Sequence, residues 1–152
     1  MIIEDPVEDS ALAVSIGFDK SVHSNCSNIL FDNLARNPGS LAITGPMGDL
    51  TYRELCANAS AWGHAFRSTK LKKSDRILFF LDDTPVFPAA FFGAVRAGYV
   101  PVLLNTQTTK ELLDFFIKDS GASIAVCESN FSHMFNKDKV GICLLYTSPS
   151  PR

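Results

Sequence analysis

The spacing of apolar residues changes repeatedly along the chain, and each change marks an element. Ile29, Leu30, Phe31 and Leu34 lie three and four apart, on one face of a helix that Ser27 or Asn28 can cap. Asn37-Pro38-Gly39 stops it. SLAIT (40–44) reads as a short strand, GPMGD (45–49) as a turn, and Leu50 and Thr51 as the returning strand. Thr51-Tyr52-Arg53-Glu54 has the form of a capping box, in which the Thr hydroxyl accepts from the N3 amide and the Glu reaches back. The helix it starts is predicted to run to about Thr69, with Leu55, Ala59, Trp62 and Phe66 on its inner side.

After the charged loop KLKKSD (70–75) the pattern alternates between strands and helices. RILFFL (76–81) is a nearly continuous apolar run, the mark of a strand covered on both faces. DDTP (82–85) reads as a turn able to cap a helix, with Pro85 at the first helical position. The helix is FPAAFFGAVRA (87–97), closed by Gly98. YVPVLL (99–104) follows as a second buried strand. NTQT (105–108) leads into a helix with Leu112, Leu113, Phe116 and Ile117 on one face, Gly121 closes it, and SIAVCE (123–128) is a third strand. This succession predicts an α/β fold, a partial doubly wound parallel sheet. Residues 1–24 read as an irregular lead-in and 25–142 as one partial domain.

Composition adds exclusions. Apolar residues are 46% of the 152 and charged residues 20%, the balance of a globular chain. A formal charge of -2 and the lack of a basic stripe give no reason to expect nucleic acid. The apolar runs are broken by Asp, Arg or Pro well short of a membrane span. The N-terminus carries acids where a targeting peptide avoids them, so the expected location is cytoplasmic. Cys26, Cys56, Cys127 and Cys143 form no CxxC pair and read as scattered buried thiols of a reducing compartment, favoured over a disulfide pair.

Candidate chemistry sits where strands end, because ligands of open α/β sheets gather at the carboxyl edge. The segments are LDDTP (81–85), NTQTT (105–109) and CESN (127–130). Asp82-Asp83 offers either a metal or general-base site or, the favoured reading, a helix cap and a surface acid. Asn105 and Thr106 offer either ligand contacts or, again favoured, a turn that satisfies backbone groups. His23, His64 and His133 have no nucleophile or acid at a recognised spacing, and Trp62 reads as core. GxGxxG after a strand, GxxxxGK[ST] and GxSxG are all absent from the sequence.

LTYRELCANASAWGHAF, followed by DRILFFLDDTPVFPAAFFGAVRAGYVPVLLNTQTTKELLDFFIKDSGASIAVCE, resembles the N-terminal part of the adenylate-forming acyl-CoA synthetases. DTPVFPAAFFGAVRAGYVPVLLNT is most similar to their benzoate-CoA ligase group. The resemblance spans about residues 25 to 142. Two departures are TxTxxE(L) for the group's LLTxxDY and Gly121 where an Arg is common. The resemblance implies an ATP-dependent carboxylate-CoA ligase as the full-length parent. Such an enzyme forms an acyl-adenylate with ATP and Mg²⁺, then transfers the acyl group to CoA. It implies a small carboxylic acid as substrate, benzoate-like first. It also implies that the phosphate loop and the catalytic Lys lie beyond this stretch. No catalytic residue is then expected here, no cofactor is expected to bind the fragment, and the fragment is expected to be inactive. Asn105, Thr106 and Gln107 are the positions the resemblance places near the CoA channel, Gln107 without the positive charge some relatives carry. The competing readings are a peptide-synthetase adenylation domain and a standalone, non-catalytic α/β binding module.

The ending CLLYTSPSPR (143–152) has neither helical period nor clean alternation. It resembles a translated sequencing adapter: the codons TGT CTC TTA TAC ACA TCT CCG AGC CCA CGA give these residues one for one. The expectation is a non-native tail after residue 142.

Overall fold

The computed structural model describes residues 25–136 and 140–145, the last four by their backbone alone. The lead-in 1–24 with His23, and the tail from 146, lie outside these. The chain forms two compact units, one of residues 70–83 and 99–145, the other of residues 25–69 and 84–98.

The second of these units is helical. It holds α1 (Asn28–Arg36), a two-stranded antiparallel hairpin of β1 (Leu41–Ile43) and β2 (Leu50–Thr51), α2 (Tyr52–Arg67) and α3 (Val86–Ala97). The capping box forms as the sequence predicts. The Glu54 amide donates to Thr51 Oγ1 over 3.3 Å, and Glu54 Oε2 accepts from the Thr51 amide over 2.8 Å. Helix α2 ends at Arg67, two residues before the expected limit. Helices α2 and α3 approach closely through small residues. A Cβ added to Gly93 would lie 2.6 Å from the Ala59 carbonyl oxygen and 2.7 Å from Trp62 Cβ, so only glycine fits. Trp62 and Phe66 are fully buried with ring centroids 5.4 Å apart. The Arg96 guanidinium lies 3.8 Å from the Phe31 ring centroid, a cation–π contact that joins α3 to α1. Cys56 Sγ lies 3.8 Å from the Leu30 carbonyl oxygen. Burial pushes the Cys56 thiol up to about 12, although Arg96 opposes the shift.

The other unit is the parallel sheet: β3 (Arg76–Phe80), β4 (Val100–Leu103), β5 (Ile124–Glu128) and β6 (Gly141–Leu145), in spatial order β4-β3-β5-β6, every pair parallel. The strand after β4 pairs on the opposite side of β3, the reversal of a doubly wound sheet. Helix α4 (Lys110–Ser120) packs Leu113 and Ile117 against Leu78, Phe80, Ala125 and Cys127. Ile77, Phe79 and Val126, on the opposite sheet face by alternation, are buried as well, which explains the continuous apolar runs of β3 and β5. Phe80 meets Phe131 and Phe135 edge-to-face at centroid distances of 5.2 and 5.7 Å.

Four sequence expectations need correction here. Strand β4 is not buried: it lies at the sheet's edge, with Val100 45% and Leu103 48% exposed. An edge strand has a partner on one side only, so its apolar run is only half covered. The α4 face is narrower than predicted, since Leu112 is 50% exposed and Phe116 is half-buried. Asp82 and Asp83 cap no helix: the N-cap of α3 is Pro85, and no side chain serves it. Cys26, in the turn ahead of α1, is exposed, whereas Cys56 and Cys127 are buried as expected. The sequence reading also missed the 3-10 helix Ser129–Met134, the Thr109 cap on α4 and the strand β6.

Candidate functional site

At the carboxyl edge of the parallel sheet, the adjacent strands β3 and β5 flank the point where the strand order reverses. Open α/β sheets place ligands at such a point. β3 delivers Asp82 there, β5 ends on Glu128, and the turn after β4 supplies Asn105, Thr106 and Gln107.

Asn105 holds its own turn. Its Oδ1 accepts from the Gln107 amide over 2.8 Å, and its carbonyl accepts from the Thr108 amide over 2.9 Å. The turn reading of Asn105 is thus realised in the structure. Thr106 faces Asp82, its hydroxyl donating to Oδ1 over 2.6 Å. Gln107 is exposed.

Glu128 is the residue that sequence reasoning passed over. It is 5% exposed, the one buried acidic or basic side chain among the described residues. Burial raises its pKa above the usual carboxylate value, and the Asp82 carboxylate adds to the rise. The Asp82 backbone N–H favours the ionised form and is outweighed, while a side-chain hydrogen bond to Asp82 favours the protonated form. The sequence shows a Glu closing an apolar strand, but not on its own whether that carboxyl is buried.

The other candidates separate. His64 is exposed on α2, and exposed His133 lies with Nδ1 2.8 Å from the Asn130 carbonyl oxygen. Among the described residues no group of three or more His, Cys, Asp or Glu is placed to hold a metal ion. No described helix is long and apolar enough to cross a membrane.

The sequence of residues 30–151 matches the family described as AMP-binding enzyme. The chain belongs to the AMP-binding enzyme family. A benzoate CoA ligase from Burkholderia xenovorans LB400 superposes with a TM-score of 0.75 and 27% identity, over 85% of this chain and 27% of that one. The 3-hydroxybenzoate–CoA/4-hydroxybenzoate–CoA ligase of Thauera aromatica is 35% identical over 58% of this chain and 17% of its own length. A long-chain-fatty-acid–CoA ligase of Escherichia coli O6:H1 is also 35% identical, over 63% of this chain and 18% of its own. The chain thus spans under a third of the length of each of these relatives. The family match runs on through residues 143–151, and β6 pairs Cys143, Leu144 and Leu145 in register with β5. The adapter reading of that stretch finds no support in either observation.

Members of the AMP-binding enzyme family use polyanionic nucleotides, so the carboxyl edge can be tested for fit. Segments 81–83, 105–109 and 127–130 carry Asp82, Asp83 and Glu128 and contain no Lys, Arg or His. A phosphate chain would meet like charge there and no compensating cation. These three segments therefore supply no cationic side chain to a phosphate group.

Proposed function

We propose that this chain is the N-terminal portion of an AMP-forming acid–CoA ligase whose substrate is an aryl acid of the benzoate or hydroxybenzoate type. The observation that carries this reading is the 35% identity to the hydroxybenzoate ligase, within a family match that spans residues 30–151. The benzoate ligase structure, 27% identical over 85% of this chain, supports the same substrate class.

In this reading ATP, Mg²⁺ and CoA serve the whole enzyme, and their phosphates are held by residues other than the carboxyl-edge segments. The contribution of the present residues is structural. They supply the β3–β5 pair and the α2–α3 pair on which the remainder is built. Asn105, Thr106 and Gln107 are assigned to the neighbourhood of the CoA channel through the family resemblance alone.

The 152-residue chain alone is expected to catalyse no ATP–pyrophosphate exchange with benzoate or 4-hydroxybenzoate. Exchange above background would overturn that expectation. The whole protein, assayed for CoA thioester and AMP, is expected to turn over one of these two acids. The equal identity to a fatty-acid ligase supplies the second reading. A preference for a long-chain fatty acid in the same assay would replace the aryl assignment with that one.

A further inference from the structure

We infer that Pro101 closes the β4 edge of the parallel sheet to strand addition: a second copy of this chain meets β4 through its apolar side chains and not by extending the sheet across it.

The direction of each backbone group on β4 follows from the bonds the strand makes. The Val100 amide donates to the Asp75 carbonyl and the Leu104 amide to the Phe79 carbonyl, each over 3.0 Å. Both point at β3, and by alternation so does the Val102 amide. Positions 101 and 103 point the other way, to the side on which β4 has no partner among the described residues. Position 101 is proline, which has no N–H and carries ring carbon where that hydrogen would be. β4 (Val100–Leu103) is left with a single outward donor, the Leu103 amide. A strand arriving from that side, parallel or antiparallel, would lose a ladder bond at Pro101 and press a carbonyl against the ring.

The strand has no other protection of its own. Edge strands are commonly guarded by charges, bulges or proline. β4 reads VPVL, without a charged residue, and its register against β3 runs unbroken from Arg76↔Val100 to Phe79↔Leu103. Val100 and Leu103 are half exposed, so what the edge presents is apolar side chain beside backbone. Proline is the one guard present, and it stands at an outward position. The same ring at position 102 would have cost a bond to β3 and left the outer side open.

The test is hydrogen exchange read by mass spectrometry on the 152-residue chain over a concentration series, with sedimentation velocity on the same samples. In the parent chain the Leu103 amide is expected to exchange fast at every concentration, including those at which the chain associates, because packing side chains together gives that amide no acceptor. Pro101→Val restores the outward N–H and suits a strand. In that variant a peptide covering 99–104 is expected to gain slow amides as concentration rises, together with larger assemblies. Pro101→Val/Leu103→Pro moves the ring to the next outward position. It is expected to return sedimentation to the parent's profile, and it serves where Pro101→Val precipitates. A Leu103 amide that becomes protected with concentration in the parent would overturn the inference. So would a Pro101→Val chain that behaves as the parent does, or a Pro101→Val/Leu103→Pro chain that assembles as Pro101→Val does.

Discussion

Gly93 shows how much one position can demand. The sequence offers it inside FFGAVRA, where a glycine costs a helix stability relative to alanine. Its reason is the 2.6 Å that would separate an added Cβ from the Ala59 carbonyl oxygen on α2. The listener to that methyl is backbone, which cannot rotate away as a flexible side chain does. Gly93→Ala is therefore expected to destabilise by about 1–3 kcal/mol, the usual range for overpacking, despite the gain in helix propensity. The urea midpoint by far-UV circular dichroism measures it, and an unchanged or higher midpoint would contradict the packing argument. Glu128 makes the same point for polar groups: its identity is plain in the sequence, but its burial is not.

Capping chemistry is where sequence and structure agree most directly at the scale of the element. Thr51 and Glu54 are three residues apart, and the bonds between them need nothing from the rest of the molecule. Thr51→Ala is expected to cost about 1 kcal/mol, read as a lowered unfolding midpoint. The Glu54 carboxylate accepts from the Thr51 backbone and hydroxyl, which lowers its pKa from the ordinary 4.5. The lowered value means that the unfolded chain takes up the proton first. The stabilisation is full above the ordinary value and is lost as pH falls through the lowered one. Glu54→Gln should flatten that acid limb of the stability profile. Helix α4 ends on a mixture of local and distant contacts: Gly121 takes the left-handed conformation at φ 60°, and from β3 the Arg76 Nε donates to the Ser120 carbonyl over 2.6 Å. Gly121 suits this left-handed cap, where a Cβ would also lie 2.8 Å from an Arg76 guanidinium nitrogen.

For the molecule as a whole, the sheet unit leaves apolar surface open. β4 is an edge strand with exposed Val100 and Leu103, and α4 exposes Leu112 and Phe115, the latter at 57%. Edges of this kind recruit other chains. The chain is expected to associate as its concentration rises, and Phe115→Lys to weaken that association by removing an exposed ring and adding charge. Sedimentation velocity over a concentration series measures both. A parent chain that stays monomeric at high concentration would remove the basis for the prediction.

Periodicity, caps and glycine stops established that the chain alternates strands and helices in a parallel α/β sheet, because each of those signals is written in neighbouring residues. DTPVFP and VPVLLNT also carried the resemblance to the family that the chain matches. The strand order was not legible, and with it went the burial of YVPVLL, since an apolar run looks the same at an edge as in the middle. Nor was the meeting of Asp82, Thr106 and Glu128, which stand 24 and 46 residues apart on strands that pair only in the folded sheet. Parallel pairing joins distant segments through backbone hydrogen bonds common to all residues, so local sequence fixes the elements and the tertiary structure decides which of their ends come together.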